Sequence, residues 1–193
     1  MPRLVRIMTA ASFALAAPLL AAAALCGWAL PAQAAIITVT GDTTGQPTFN
    51  RPLEDLSALS SVGIAVRYEA ITFSTNVSGD YTFLTTGAFD TFSILYNGSF
   101  EPTSALTNAL VANDDLIAPP FTTSGFAHSL TAGSTYVLVT TGFDGAAFGA
   151  YSTTIGGPGG LTLVPEPAAC GMLALGLASM ALQGRRERAS ANA

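Results

Sequence analysis

The chain of 193 residues contains no lysine, and all seven of its basic residues are arginines. Five of those arginines lie in the two end segments. Between positions 35 and 163 only Arg51 and Arg67 face ten carboxylates, at positions 42, 54, 55, 69, 80, 90, 101, 114, 115 and 144. Such a domain is repelled by phosphate, so nucleic acid and anionic lipid surfaces are poor partners. Cysteine is as scarce: Cys26 and Cys170 both lie outside the central region, which must be held by its core without disulfides. The one histidine, His128, would have to serve any Ser-His-Asp triad, and alternation sets it on a face with Phe126 and Leu130, as a packed strand residue. A single histidine and no central thiol argue against a zinc centre. The one tryptophan, Trp28, is near the N-terminus, which weakens a sugar-stacking role.

What is present begins at the two ends. Arg3 and Arg6 form a basic start, Ile7 to Leu30 is rich in Ala and Leu, and Ala32-Gln33-Ala34 is an A-x-A cleavage site. Residues 1–34 are therefore expected to be a signal peptide removed by signal peptidase between Ala34 and Ala35. Leu25 stands where a lipobox wants a small residue, so lipidation of Cys26 is not expected. At the other end, Pro165-Glu166-Pro167 precedes an uncharged, proline-free run from Ala168 to Leu182, then a basic cluster of Arg185, Arg186 and Arg188. As a helix the run spans roughly 22 Å, short of the ~30 Å hydrocarbon core, which suits a transient anchor in the inner membrane. The positive-inside rule keeps the arginines cytoplasmic and the Pro-Glu-Pro outside.

These three parts at 165–188 resemble the PEP-CTERM sorting signal of exported proteins of Gram-negative bacteria. The resemblance implies an exosortase that processes the chain at Pro165-Glu166-Pro167, then delivery to the cell surface or an extracellular polysaccharide layer.

The central region alternates with a period of two, the signature of an antiparallel β-sandwich. Strands are expected at 36–40, 65–74, 80–86, 91–96, 125–130, 135–141 and 149–155. Tyr81 and Phe83 project to one face, as do Phe92, Ile94 and Tyr96 on the following strand. Asn97-Gly98 is a tight-turn signal, and residues 131–134 are short enough to join their flanking strands as a hairpin. The stretch 100–123 reads as a long loop or crossover. Residues 35–157 are expected to form the domain, with 158–164 a Gly/Pro linker.

Several of these strands carry a second resemblance. Ser78-Gly79-Asp80-Tyr81-Thr82-Phe83, Phe89 to Tyr96, Ala112-Asn113-Asp114-Asp115, Leu130 to Val139 and Ala150 to Ile155 follow one another in the order seen in the bacterial pre-peptidase C-terminal domain. The similarity covers roughly residues 65 to 156 and implies a jelly-roll-like sandwich. That domain is often appended to secreted enzymes, whereas no protease domain precedes it here.

No catalytic residue is assigned. Asp90, Asp114 and Asp115 could support glycoside hydrolysis, but adjacent residues on an extended chain point opposite ways, so Asp114 and Asp115 do not form a facing pair. The same three carboxylates are hard oxygen ligands of the type calcium takes. No EF-hand loop is present, and Asp and Asn also occupy turns for their local backbone bonds, so no cofactor is required. The reading is of an exported, non-catalytic surface or matrix protein. The alternative is a module that binds glycan or protein in the extracellular polysaccharide layer.

Overall fold

The computed structural model describes residues 34–164. The expected signal peptide up to Gln33, including Ala32, and the expected sorting segment, with Pro165-Glu166-Pro167, the apolar run 168–182 and the arginine cluster, lie outside the described residues. What is described is all-β: ten antiparallel strands in two sheets that pack as a sandwich. In chain order they are β1 (Ala35–Asp42), β2 (Thr48–Phe49), β3 (Val66–Thr75), β4 (Gly79–Gly87), β5 (Thr91–Asn97), β6 (Ala109–Asn113), β7 (Thr123–Leu130), β8 (Thr135–Gly142), β9 (Ala150–Gly157) and β10 (Leu161–Val164). One sheet runs β1-β9-β4-β7; the other runs β10-β3-β8-β5-β6, with β2 also on β3.

Alternation in the sequence decides which side chains fill the sandwich. Tyr81 and Phe83 from β4 and Ile155 from β9 meet Phe73, Leu95 and Leu138 of the opposite sheet, all buried. Each such side chain contributes about 1.5–3 kcal/mol on leaving water. At one end the packing turns polar: Ser93 Oγ donates to Thr85 Oγ1 at 3.0 Å, and Thr85 and Ser124 bond Thr153 and Ser93 at 2.8 Å each.

The six-stranded sheet is buried on its outer face as well. Phe92, Ile94 and Tyr96 turn away from the sandwich, share a face as the sequence implied, and pack with Val66, Val137 and Val139 beneath Phe49 and Ala105. Phe49, Tyr68 and Phe100 meet edge to face with ring centres 5.1 to 5.3 Å apart. The loops 43–65 and 98–108 thus supply a second small core.

Three expectations are corrected. The strands flanking residues 131–134 do not form a hairpin: β7 belongs to one sheet and β8 to the other, so this short connection arches across the sandwich. Its geometry follows from the need of β8 to be buried on both faces. Residues 158–164 are not a linker throughout. Pro158 to Gly160 turn the chain from one sheet to the other, and Leu161–Val164 pair with Phe73 and its neighbours on β3 as β10. The domain therefore extends past 157 to at least Val164. The stretch 100–123 is not all loop, because it holds β6 paired with β5. Asn97-Gly98 does turn, with Gly98 at φ 76, yet it opens an excursion to Asn108 rather than a two-residue hairpin.

Candidate functional site

Asp90 directly precedes β5 and Asp114 directly follows β6. Those strands run antiparallel with Ser93 opposite Asn113, so the register brings the start of one against the end of the other. A bend at Asp114 breaks the extended course assumed from sequence. As a result Asp90, Asp114 and Asp115 each aim a carboxylate oxygen into one place, all within 4.8 Å of one another. Two oxygens bound to one calcium at about 2.4 Å can be no farther apart than that. Opposite directions for Asp114 and Asp115 followed from assuming an extended chain, and this bend removes that assumption.

The cluster sits over a buried cation that the sequence reading passed over. Arg51 is 3% exposed. Its Nε donates to the Phe143 carbonyl at 2.9 Å and its Nη1 to the Pro52 carbonyl at 3.0 Å. The guanidinium carbon lies 4.0 Å from the Phe92 ring centre and 5.0 Å from that of Phe143, within cation–π range. The loop closes around it: the Arg51 amide donates to Gly63, and Ser60 donates back to the Arg51 carbonyl. Gly63 is needed there, because a Cβ would run into the Arg51 stem. The signal that could have found it is positional. It is one of only two basic residues in an acidic domain, set between Asn50 and Pro52.

One buried arginine does not balance three carboxylates. Burial raises Asp114 to about 6, with Asp115, Asp90 and Glu54 adding to the rise and Arg51 opposing it. Burial also raises Asp90, reinforced by Asp115 and Asp144 and opposed by Arg51. Arg51 itself is lowered by burial, against the pull of Asp114, Asp90, Asp144 and Glu54. Asp90 Oδ1 and Asp114 Oδ1 are both buried without a hydrogen-bond partner. Buried acceptors normally find a donor, so these two oxygens are suited to a cation or a shared proton.

Neighbouring acids behave differently. Asp144 Oδ1 accepts the amides of Ala146 and Ala147 at 2.8 and 3.1 Å, the local turn bonding expected of Asp. Asp42 and Asp55 do the same for Thr44 and Ser57. Glu54 accepts from Asn113 Nδ2 at 2.8 Å, which ties the loop to the end of β6. His128 lies on β7 opposite Tyr81, half-buried on the face it shares with Phe126 and Leu130. Ala34 is exposed and directly precedes β1, which begins at Ala35. A surface depression of about 590 Å³ is lined by Leu53, Glu54, Asp55 and Ala112, so the three clustered acids do not line it.

No protein-family model matches this chain, and neither does any curated protein sequence. Among solved structures it is similar to a CBM35 from Cellvibrio japonicus Abf62. The TM-score is 0.30 with 13% identity over 65% of this chain and 96% of that one. A likeness of that size carries no argument about a ligand.

Proposed function

We propose that this chain is an exported, non-catalytic surface or extracellular-matrix protein, released from a membrane-anchored precursor by an exosortase acting at Pro165-Glu166-Pro167. One observation carries the reading. Every described strand lies between the two processing motifs, with β1 starting at Ala35, right after the A-x-A site, and β10 lying ahead of Pro165. A domain so bounded keeps all of its described strands through both cleavages. The disulfide-free core and the acid excess suit a soluble life outside the cell. The PEP-CTERM resemblance supports the sorting role, and the pre-peptidase C-terminal resemblance supports a jelly-roll-like wiring of the sandwich.

The clustered acids add a stabilising element to this reading. With Asp90, Asp114 and Asp115 converging and two of their oxygens unpaired, calcium outside the cell would complete its shell with carbonyls and water.

Replacing Pro165, Glu166 and Pro167 together with alanine tests the reading. Export should persist, and the protein should accumulate in the inner membrane through residues 168–182. An epitope inserted at the open turn around Gly45, where nothing lies within 4 Å of an added Cβ, follows the protein through fractionation. Delivery of the triple variant to the surface or medium at the wild-type level would refute the sorting role.

A further inference from the structure

The strand directions bring the approach to β3 and the connections 88–90, 114–122 and 143–149 to one end of the sandwich. β4, β6 and β8 finish there at Gly87, Asn113 and Gly142, and β3, β5, β7 and β9 begin there. The pairings Tyr68–Thr141, Ser93–Asn113, Thr86–Thr123 and Gly87–Tyr151 set these strand ends level. Exposed at this end are Val62 and Ile64 ahead of β3, Leu116, Ile117 and Phe121 between β6 and β7, and Phe148 between β8 and β9. Ile117 is 58% exposed and Phe121 50%. At the opposite end the connections 76–78, 98–108, 131–134 and 158–160 expose only Val77 and Leu106 among the described large apolar residues.

The tip between β6 and β7 is built unlike the rest of this acidic surface. Leu116 to Ser124 carry no charge. Pro119 and Pro120 have no amide N–H, and the Leu116 and Thr122 amides are taken by the Thr123 and Pro120 carbonyls at 2.8 Å each. Few backbone donors are therefore left to lose water when the tip enters an apolar medium, which is the main cost of placing a loop there. At the same end the Arg67 guanidinium lies 3.9 Å from the Phe148 ring centre. A cation over an aromatic ring is a pairing that settles at headgroup level.

We propose that this end of the domain rests on a phospholipid bilayer, with Ile117 and Phe121 entering its interface. The inference rests on the membrane-anchored precursor proposed above, and covalent reach supports it. β10 runs from beside Thr75 to beside Thr72, toward the same end. The peptide steps from Val164 to Ala168, where the apolar run starts, span at most ~14 Å. From the level of Thr72 to that of Val66 the sheet runs on for about 20 Å. With the apolar tips turned to the membrane, a chain anchored through 168–182 is too short to leave a gap, so the end must touch. A contact that is weak alone is enough, because the anchor raises its effective concentration. The carboxylates of Asp90, Asp114, Asp115 and Asp144 lie at this end too, so the surface it accepts is zwitterionic rather than anionic.

Tryptophan fluorescence of the full-length chain in vesicles of zwitterionic phospholipid, with chelator present, tests this contact. Trp28, the one native tryptophan, is first removed as Trp28→Phe. In that background nitroxide-labelled lipid should quench Ile117→Trp at least about twofold more than Val77→Trp, and adding Phe121→Asp should remove most of the difference. Anionic phosphatidylglycerol in the vesicles should weaken the quenching, and quenching that it strengthens would overturn the choice of a zwitterionic surface. Leu175→Trp, in the same background, reports separately whether the apolar run is in the lipid. If it is quenched while Ile117→Trp and Val77→Trp are quenched alike, the contact is overturned and the anchor stands. If Leu175→Trp is not quenched, the anchor and the contact both fall. Shielding of Ile117→Trp that rises with protein concentration, without quenching by lipid, would assign this end to a second copy and overturn the proposal too.

Discussion

Replacing Asp114 with asparagine should make the calcium-free domain more stable at neutral pH. Asp114 is raised from 3.8 to about 6 by burial and by its acidic neighbours. A carboxylate whose folded value lies above its unfolded one is easiest to fold when protonated. No penalty is present below pH ~4; it builds as pH rises toward ~6 and stays constant above. Taken at full value the shift corresponds to ~3 kcal/mol at neutral pH. Asp114 is only half-buried, and solvent screening reduces this to ~1 kcal/mol. Asparagine keeps the shape of the neutral acid and carries no charge, so Asp114→Asn should raise the melting temperature at pH 7.5 by roughly 3 °C. It should also flatten the fall in stability between pH 4 and 6. Calcium reverses the order: a hundredfold excess over its dissociation constant stabilises the wild type by ~2.7 kcal/mol, and the variant gains little. Thermal denaturation at several pH values, with calcium or with chelator, measures each part. A variant less stable than the wild type in chelator at pH 7.5 would mean that Arg51 holds the carboxylate favourably. Equal calcium responses would remove the cation from the account.

Arg51→Met keeps the apolar stem but leaves the Phe143 and Pro52 carbonyls and three acids without their cation, so urea denaturation should show a loss of about 3 kcal/mol. Thr91 is fully buried with its hydroxyl unpartnered, so Thr91→Val should be neutral or stabilising by up to ~1 kcal/mol in the same assay. A clear destabilisation by Thr91→Val would show that the hydroxyl has a partner in solution.

The inward strands were legible because Tyr81, Phe83 and Ile155 alternate with Thr and Gly, and one sheet face must be dry. β6 was not, since Ala109–Asn113 is half-buried along most of its length and shows no alternation. The sequence named Asp90, Asp114 and Asp115 together only by their ligand chemistry; with β6 unseen, it gave no geometry for the cluster, which the β5–β6 register supplies. β10 was hidden by its own brevity and by Pro158, Gly159 and Gly160 before it, which read as the start of a linker. The arch between β7 and β8 looked like a hairpin because connection length reports chain distance, whereas sheet membership depends on which faces need cover. β8 needs it on both, and the second cover comes from Phe49, Phe100 and Ala105 in segments without strand periodicity.

The intact mass of the protein recovered from the cell surface or medium tests the central claim most directly. The account predicts a chain that begins at Ala35, ends at or close to Pro165-Glu166-Pro167 and retains β10. A recovered protein that still carries the apolar run 168–182 and the arginines after it, or that still carries residues 1–34, would contradict it.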